Sequence, residues 1–377
     1  MPCALHFAGI SISITMTNSY AATQTTGVAE KAEGAAFTPD SLSPEKGNCI
    51  APAVAALTTA SALTGCGGGG NEPLQAAQAS GPDAMPKPAF EGFSYPAPTS
   101  DAEAARFLLH AQFSASTEEI ASLRSTTYVD WLNRQFDASP GVTGWDWLNT
   151  RGYAAISNDT AYYDNSYPAD YMIWYQLMKS PDGLRKRIAL ALSEICVVSL
   201  SGVDVNWRCH AMAWYWDQLV NNAFGNYRNV LQDVTLNPAM GYYLNTRGNQ
   251  KENPATGRQP DENYAREVMQ LMSIGLVELN LDGTPKLDSN GKPIDSYTMN
   301  DVTNLARVFT GYDFDQSQNV PTTVPGTTRV VPNTTYTRLP MALNASRHST
   351  LAATFLGTTI PANTPGAAAL KTALDTL

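Results

Sequence analysis

Cysteine, histidine and positive charge are all scarce in this 377-residue chain. Five cysteines and four histidines occur, and 24 Lys and Arg stand against 34 Asp and Glu, for a net charge of −10. That balance leaves no basic footprint for nucleic acid or for an anionic membrane surface. No HExxH, Cys-x-x-Cys, GxSxG, P-loop or Rossmann pattern occurs. The usual zinc, serine-nucleophile, phosphate and dinucleotide signatures therefore give no lead. The first hundred residues are poor in large apolar side chains, whereas Trp145, Trp147, Trp174, Trp207, Trp214 and Trp216 crowd the middle and argue against disorder there.

One sharp signal lies in the poor first part. Ile50 to Leu63 is a 14-residue apolar run, too short for a bilayer span of about 20 residues but suited to a signal-peptide core. It ends in Leu63-Thr64-Gly65-Cys66, which resembles the bacterial lipobox, followed by the Gly67–Gly70 run. The resemblance implies cleavage before Cys66 and acylation of its thiol, so the chain is expected to be an exported lipoprotein held on a membrane by lipid. Residue 67 is Gly rather than Asp, so inner-membrane retention is not signalled and an outer-membrane or periplasm-facing place is expected. Three parts follow: a leader over 1–65, a flexible Gly/Pro/Ala tether over 66–100 and a helical domain over 101–377. In an oxidising compartment Cys196 and Cys209 form an even pair, compatible with a disulfide or with two small core residues.

From Asp101 onward, apolar residues recur at helical spacing. Short helices are expected in "DAEAARFLLHAQF", "STEEIASLRS" and "TYVDWLNRQFD", each opened by an Asp, Ser or Thr cap. Further helices are expected in "ADYMIWYQLMKS", in a segment with Ser180 as cap and Pro181 in its first turn, and in "HAMAWYWDQLVNNAF", "YRNVLQDVT" and "NPAMGYYLN". Turn chemistry at Asp282-Gly283 and Asn290-Gly291 points to a small β-hairpin. Thr298 and Asp301 have capping-box spacing, with Gly311 as the stop. Residues 315–348 read as extended loops or short strands, and no internal repeat stands out. The expected fold is mainly α, an irregular multi-helix domain with a small β-hairpin and extended loops near its C-terminal part.

Several segments, "ARFLLHAQFSASTEEI", "LRKRIALALSEICVVS", "GNYRNVLQDVTLNPAMGYYLN", "DENYAREVMQLMSIGL" and "YTMNDVTNLARVFTGYDF", together resemble the bacterial family called domain of unknown function 1800. The resemblance implies an exported, mostly helical protein, often encoded beside a second exported family related to sulfatases, and no established activity. It also implies that relatives continue past the final "LDTL", so a C-terminally truncated member is expected. Many members carry Trp-His-Asn-His-Phe where this chain has Leu192 to Cys196; chemistry resting on those histidines is absent at that place.

The densest cluster of candidate groups is "RQPDENYAREVMQLMSIG", Arg258 to Gly275. With Asp261 as N-cap, a helix places Glu262, Asn263, Arg266, Glu267, Gln270 and Ser273 within about 140° of arc. Three readings fit: a structural network that fixes Gly311 and Asp301 nearby, a polar-ligand or catalytic site, and a plain solvated face. Of the histidines after Cys66, His110 ends an apolar helix as a packed or capping residue, His210 falls in an apolar helix, and His348, in polar "NASRHST", is the functional candidate. Asp288, Asn290 and Asp295 offer oxygen ligands for calcium without full EF-hand spacing, so a turn is the simpler reading. Two functions are consistent with these residues. One is a binding or assembly partner of another exported protein. The other is an envelope hydrolase with Glu262, Glu267, Arg266 and His348 as candidate catalytic residues, and Asn263, Arg266 and Asp301 as candidate binding residues.

Overall fold

The computed structural model describes residues 4–7, 10–13 and 95–377. Cys66, the apolar run before it and most of the tether lie outside the described residues. A short hairpin pairs β1 (Ala4–Phe7) with β2 (Ile10–Ser13).

Hydroxyl side chains start the first helices of the body. α1 (Asp101–Ala111), α2 (Thr117–Arg124), α3 (Tyr128–Asp137) and α4 (Gly144–Thr150) follow Ser100, Ser116, Thr127 and Thr143. Each of those hydroxyls accepts the amide three residues on, satisfying a donor the helix leaves unpaired. The cap of α1 is thus Ser100, not Asp101. His110, expected as packed or capping, is exposed in the last turn of α1. α4 escapes the periodicity because it has only seven residues, two turns of weak signal.

α5 (Tyr167–Lys179) and α6 (Gly183–Ile195) come next. The expected start at Ser180 is corrected to Gly183, with Asp182 at the cap position. Ser180 instead donates its hydroxyl to the Asp182 carboxylate. α7 (Arg208–Asn221) is the centre of the body: α4, α5, α6, α8 (Tyr227–Leu236) and α9 (Pro238–Tyr243) all pack against it. Its Ala211, Ala213, Tyr215, Trp216, Leu219 and Val220 are buried in the main core. Asn237 joins α8 to α9, ending one helix while its side chain caps the next.

α10 (Asn263–Gln270) and α11 (Met299–Val308) pack together. The pairs β3 (Tyr312–Asp313) with β6 (Ala342–Leu343), β4 (Thr322–Thr323) with β5 (Val330–Val331), and β7 (Ala353–Phe355) with β8 (Thr358–Ile360) are all antiparallel two-stranded ladders. α12 (Gly366–Thr376) closes the described chain. Helices dominate, as the sequence predicts, and apart from β1–β2 the strands form small two-stranded pairs in the later part. Among the described residues no helix is long and apolar enough to cross a membrane.

Between α10 and α11 an arm of residues 276–296 replaces the expected single hairpin. Leu279 bridges Pro285, Leu287 bridges Pro293 and Val277 bridges Asp295. The Glu278 amide donates to the Ile294 carbonyl (2.9 Å), the Ile294 amide to the Lys286 carbonyl (3.0 Å), and the Lys286 amide to the Glu278 carbonyl (2.8 Å). Three extended stretches thus close a ring of backbone bonds. Its two turns are one motif used twice: Leu279 to Pro285 and Leu287 to Pro293 share Leu, Gly and Pro at equal offsets. Gly283 and Gly291 both have positive φ (82° and 76°), which side chains with a Cβ resist. The sequence shows this short repeat once the bridges reveal where to look.

Candidate functional site

α10 starts one residue later than expected. Glu262 holds the cap position without a capping side chain, while the Asp261 carboxylate accepts the Asn263 amide at 2.8 Å. The helix ends at Gln270, so Ser273 lies beyond it and donates to the Val268 carbonyl (2.6 Å). On the charged face, Glu262 Oε1 accepts the Thr303 hydroxyl at 2.7 Å and Oε2 pairs with Arg266 at 3.3 Å. Arg266 reaches Met299 Sδ at 3.5 Å, and Gln270 Oε1 accepts the Tyr297 hydroxyl at 2.8 Å. Successive turns of α10 are thereby fastened to the start of α11. The face is half-buried, with Arg266 35% and Glu262 29% exposed. Asn263 and Glu267 are also half-buried, and among the described residues no partner takes their side chains.

Asp301 completes the capping box with Thr298, as its spacing predicts. Its other oxygen accepts the Leu356 amide at 2.8 Å. Gly311 lies three residues beyond the end of α11. It donates to the Asn249 carbonyl (2.8 Å) and accepts from the Asn344 amide (2.7 Å). Asn249 in turn exchanges bonds with both backbone groups of Asp261 (2.9 and 3.1 Å). The start of α10, the end of α11 and the loop after β6 are therefore one polar knot.

His348 belongs to that knot rather than to an open site. It is 6% exposed, and Nδ1 donates to the Thr310 carbonyl at 2.8 Å. Arg266 reaches Met299, the first residue of α11, whereas Thr310 lies two residues past its last, Val308, so His348 and the Arg266 contact sit at opposite ends of a helix about 15 Å long. The structure does not bring the expected hydrolase quartet together. The Asp288 carboxylate takes the amides of Asn290 (2.8 Å) and Lys292 (2.9 Å), and Asp295 sits in the bridge with Val277. Among the described residues no three His, Cys, Asp or Glu side chains gather as a metal site.

Of the two readings open for Cys196 and Cys209, the structure shows the pair of core residues and not the disulfide. Cys196 and Cys209 are both free and buried, and each faces partners of its own. Cys209 Sγ donates to the Asn165 carbonyl (3.0 Å), while Cys196 Sγ lies 3.9 Å from the Tyr227 hydroxyl. Burial pushes the thiols up to about 12 and about 11, which keeps them protonated and unreactive.

Sequence reasoning missed the most deeply buried charges. Asp182 and Lys186 form an ion pair of 3.2 Å, with side chains 0% and 2% exposed. Asp217 on α7 accepts the amides of Gly144 (2.6 Å) and Trp145 (2.9 Å), capping α4 from a neighbouring helix. Burial pushes its carboxyl up to about 6. His210 lies one turn into α7, between the edges of Trp145 and Trp207, with Nε2 3.2 Å from Asn149 Oδ1. Burial pushes it down to about 4.

These two groups give opposite pH slopes. His210 binds its proton less well in the fold than in the unfolded chain, so its stability contribution is full above about 6.5 and is lost as pH falls towards 4. Asp217 keeps its proton longer in the fold, so its contribution fades as pH rises from 3.8 through about 6. His210→Gln removes the first slope alone. Relative to wild type, the variant should gain about 3 kcal/mol between pH 7 and pH 4, read from urea midpoints. Parallel curves for the two proteins would show that His210 is not held neutral by the fold.

α5 is apolar all round and buries only one side. Met172, Ile173, Gln176 and Leu177 face the core, while Tyr167, Tyr171, Trp174, Tyr175 and Met178 are 37–57% exposed. At 100° per residue those five fall within about 100° of arc. Tyr153 and Tyr162 extend the patch, with ring centroids 6.4 Å from Tyr167. Arg151 covers Trp147 at 4.4 Å and Tyr175 at 5.7 Å. Exposed aromatic side chains grouped in this way are of the composition that protein interfaces favour. Its signal was in the sequence as an i, i+4, i+7, i+8, i+11 stripe, indistinguishable there from a core face.

A family model described as "Protein of unknown function (DUF1800)" matches residues 106–377. Comparison with curated proteins finds no match, and comparison with solved structures finds none either.

Proposed function

With that model spanning most of its length, the chain belongs to the DUF1800 family, and on this premise we propose that it is an exported, lipid-anchored binding module of the cell envelope. Cys66 is the acylated residue in this reading, and the partner is a second exported protein encoded nearby. The observation that supports it is the exposed aromatic stripe of α5. Tyr and Trp bring large contact area at a low cost in side-chain entropy, and they are enriched where one protein docks on another.

The catalytic reading of Glu262, Glu267, Arg266 and His348 finds less support. Glu262 spends its two oxygens on Thr303 and Arg266, and His348 spends Nδ1 on Thr310.

The test uses the mature chain and the exported protein encoded beside it. Tyr171→Glu combined with Trp174→Glu should abolish co-purification of the two without moving the melting temperature, because both side chains already face water. Retention of the partner by that folded variant would overturn the reading.

A further inference from the structure

A second surface, outside the α5 face, has a different chemistry. An open cleft of about 380 Å³, in the size range of small-molecule sites, lies between the residues that lead into α7 and those on either side of β5. Three guanidiniums from distant parts of the chain line it: Arg208, Arg247 and Arg329. Each is held in place on one side. Arg329 grips Asp164 with both terminal nitrogens (2.6 and 2.7 Å) and lies 4.9 Å over Tyr163. Arg247 pairs with Asp313 (3.1 Å) and lies 4.2 Å over Phe314. Arg208 pairs with Asp204 (2.6 Å).

Asp164, the better buried of the two carboxylates in the lining, is well occupied: besides Arg329 it accepts the Asn206 amide at 2.9 Å. The guanidiniums are not filled. A guanidinium carries about five N–H groups, and the pairs above use one or two on each arginine. Arg208 Nε is buried with no acceptor at all. Each of the three guanidiniums has one carboxylate partner, Asp204, Asp313 or Asp164, and each keeps further N–H groups for another acceptor.

The backbone between two of its lining residues is also held at a cost. Trp207 starts α7 with φ of 61° and ψ of 34°, a left-handed conformation rare for a bulky residue. It is locked there by its amide on the Tyr163 carbonyl (2.7 Å) and its indole N–H on the Pro332 carbonyl (2.6 Å). Strain held in place by surrounding bonds is common at ligand sites. Here it puts Asn206 and Arg208, on either side of Trp207, into the cleft wall.

We propose that this cleft binds a small oxyanion, a carboxylate- or phosphate-bearing molecule gripped by Arg208, Arg247 and Arg329. Planar forks of this type match both groups, so the probes separate the two sources. Calorimetric titration of the mature full chain at low ionic strength would use inorganic phosphate, glucuronate and, as a neutral control, glucose. One-site saturable binding of phosphate or glucuronate is expected, and the tighter of the two identifies the source. Arg329→Gln, at a half-exposed side chain, and Arg208→Gln, at a better-buried one, each checked for an unchanged melting curve, should each weaken that binding at least tenfold. No saturable binding of either oxyanion to the wild type would overturn the proposal. So would equal binding of glucose, or affinity unchanged in both folded variants.

Discussion

Replacing Lys186 with Met should cost the fold about 3–5 kcal/mol, the usual penalty for leaving one member of a buried ion pair alone. The Asp182 carboxylate would then be fully enclosed, with Arg185 at 3.7 Å as its remaining cation. The cost would not measure the value of the pair. Burial pushes the Lys186 ammonium down from its ordinary value, and Asp182 only partly offsets that. A double variant, Asp182→Asn with Lys186→Met, removes both charges and should be more stable than Lys186→Met alone. Urea unfolding of the four proteins in the cycle checks this. Equal stability of the single and double variants would mean that Asp182 does not depend on Lys186.

Gly311→Ala should be about as damaging, by a different route. The residue has φ of 89°, where a Cβ costs roughly 1–2 kcal/mol in backbone strain. That Cβ would also stand 2.8 Å from the Asn344 carbonyl oxygen and 2.9 Å from the His348 amide nitrogen. Both obstacles are backbone, so neither can swing aside. The loss should reach about 3 kcal/mol or more once the bonds to Asn249 and Asn344 are displaced. Because Gly311 ties the end of α11 to the loop beneath α10, hydrogen exchange should speed up first around residues 245–249 and 344–349. A variant as stable as wild type would mean that the polar knot is loose.

The two sites of damage mark where the sequence was legible and where it was not. Caps and periods placed most helices within a few residues, since Ser116, Thr127 and Thr298 satisfy local donors that depend on nearest neighbours alone. The same local logic segregated the charged face of α10 correctly. What that face does depends on α11, which arrives 33 residues later in the case of Arg266 and Met299. Nothing in "GLRKRIALAL" marks Lys186 as buried, because burial of a charge is decided by the helices packed around it. Even so, the spacing of Asp182 and Lys186 was a helical ion-pair spacing available to a closer reading. The α5 stripe failed for the converse reason: an aromatic face has one pattern whether it is covered or bare.

Amide hydrogen exchange of the mature chain, with and without the exported protein encoded beside it, tests the central assignment most directly. Protection confined to residues 151–178, with the 261–267 stretch unchanged, is the expected result. Protection of 261–267 while α5 exchanges as in the free protein would contradict it, and would return the charged face of α10 to the role of binding site.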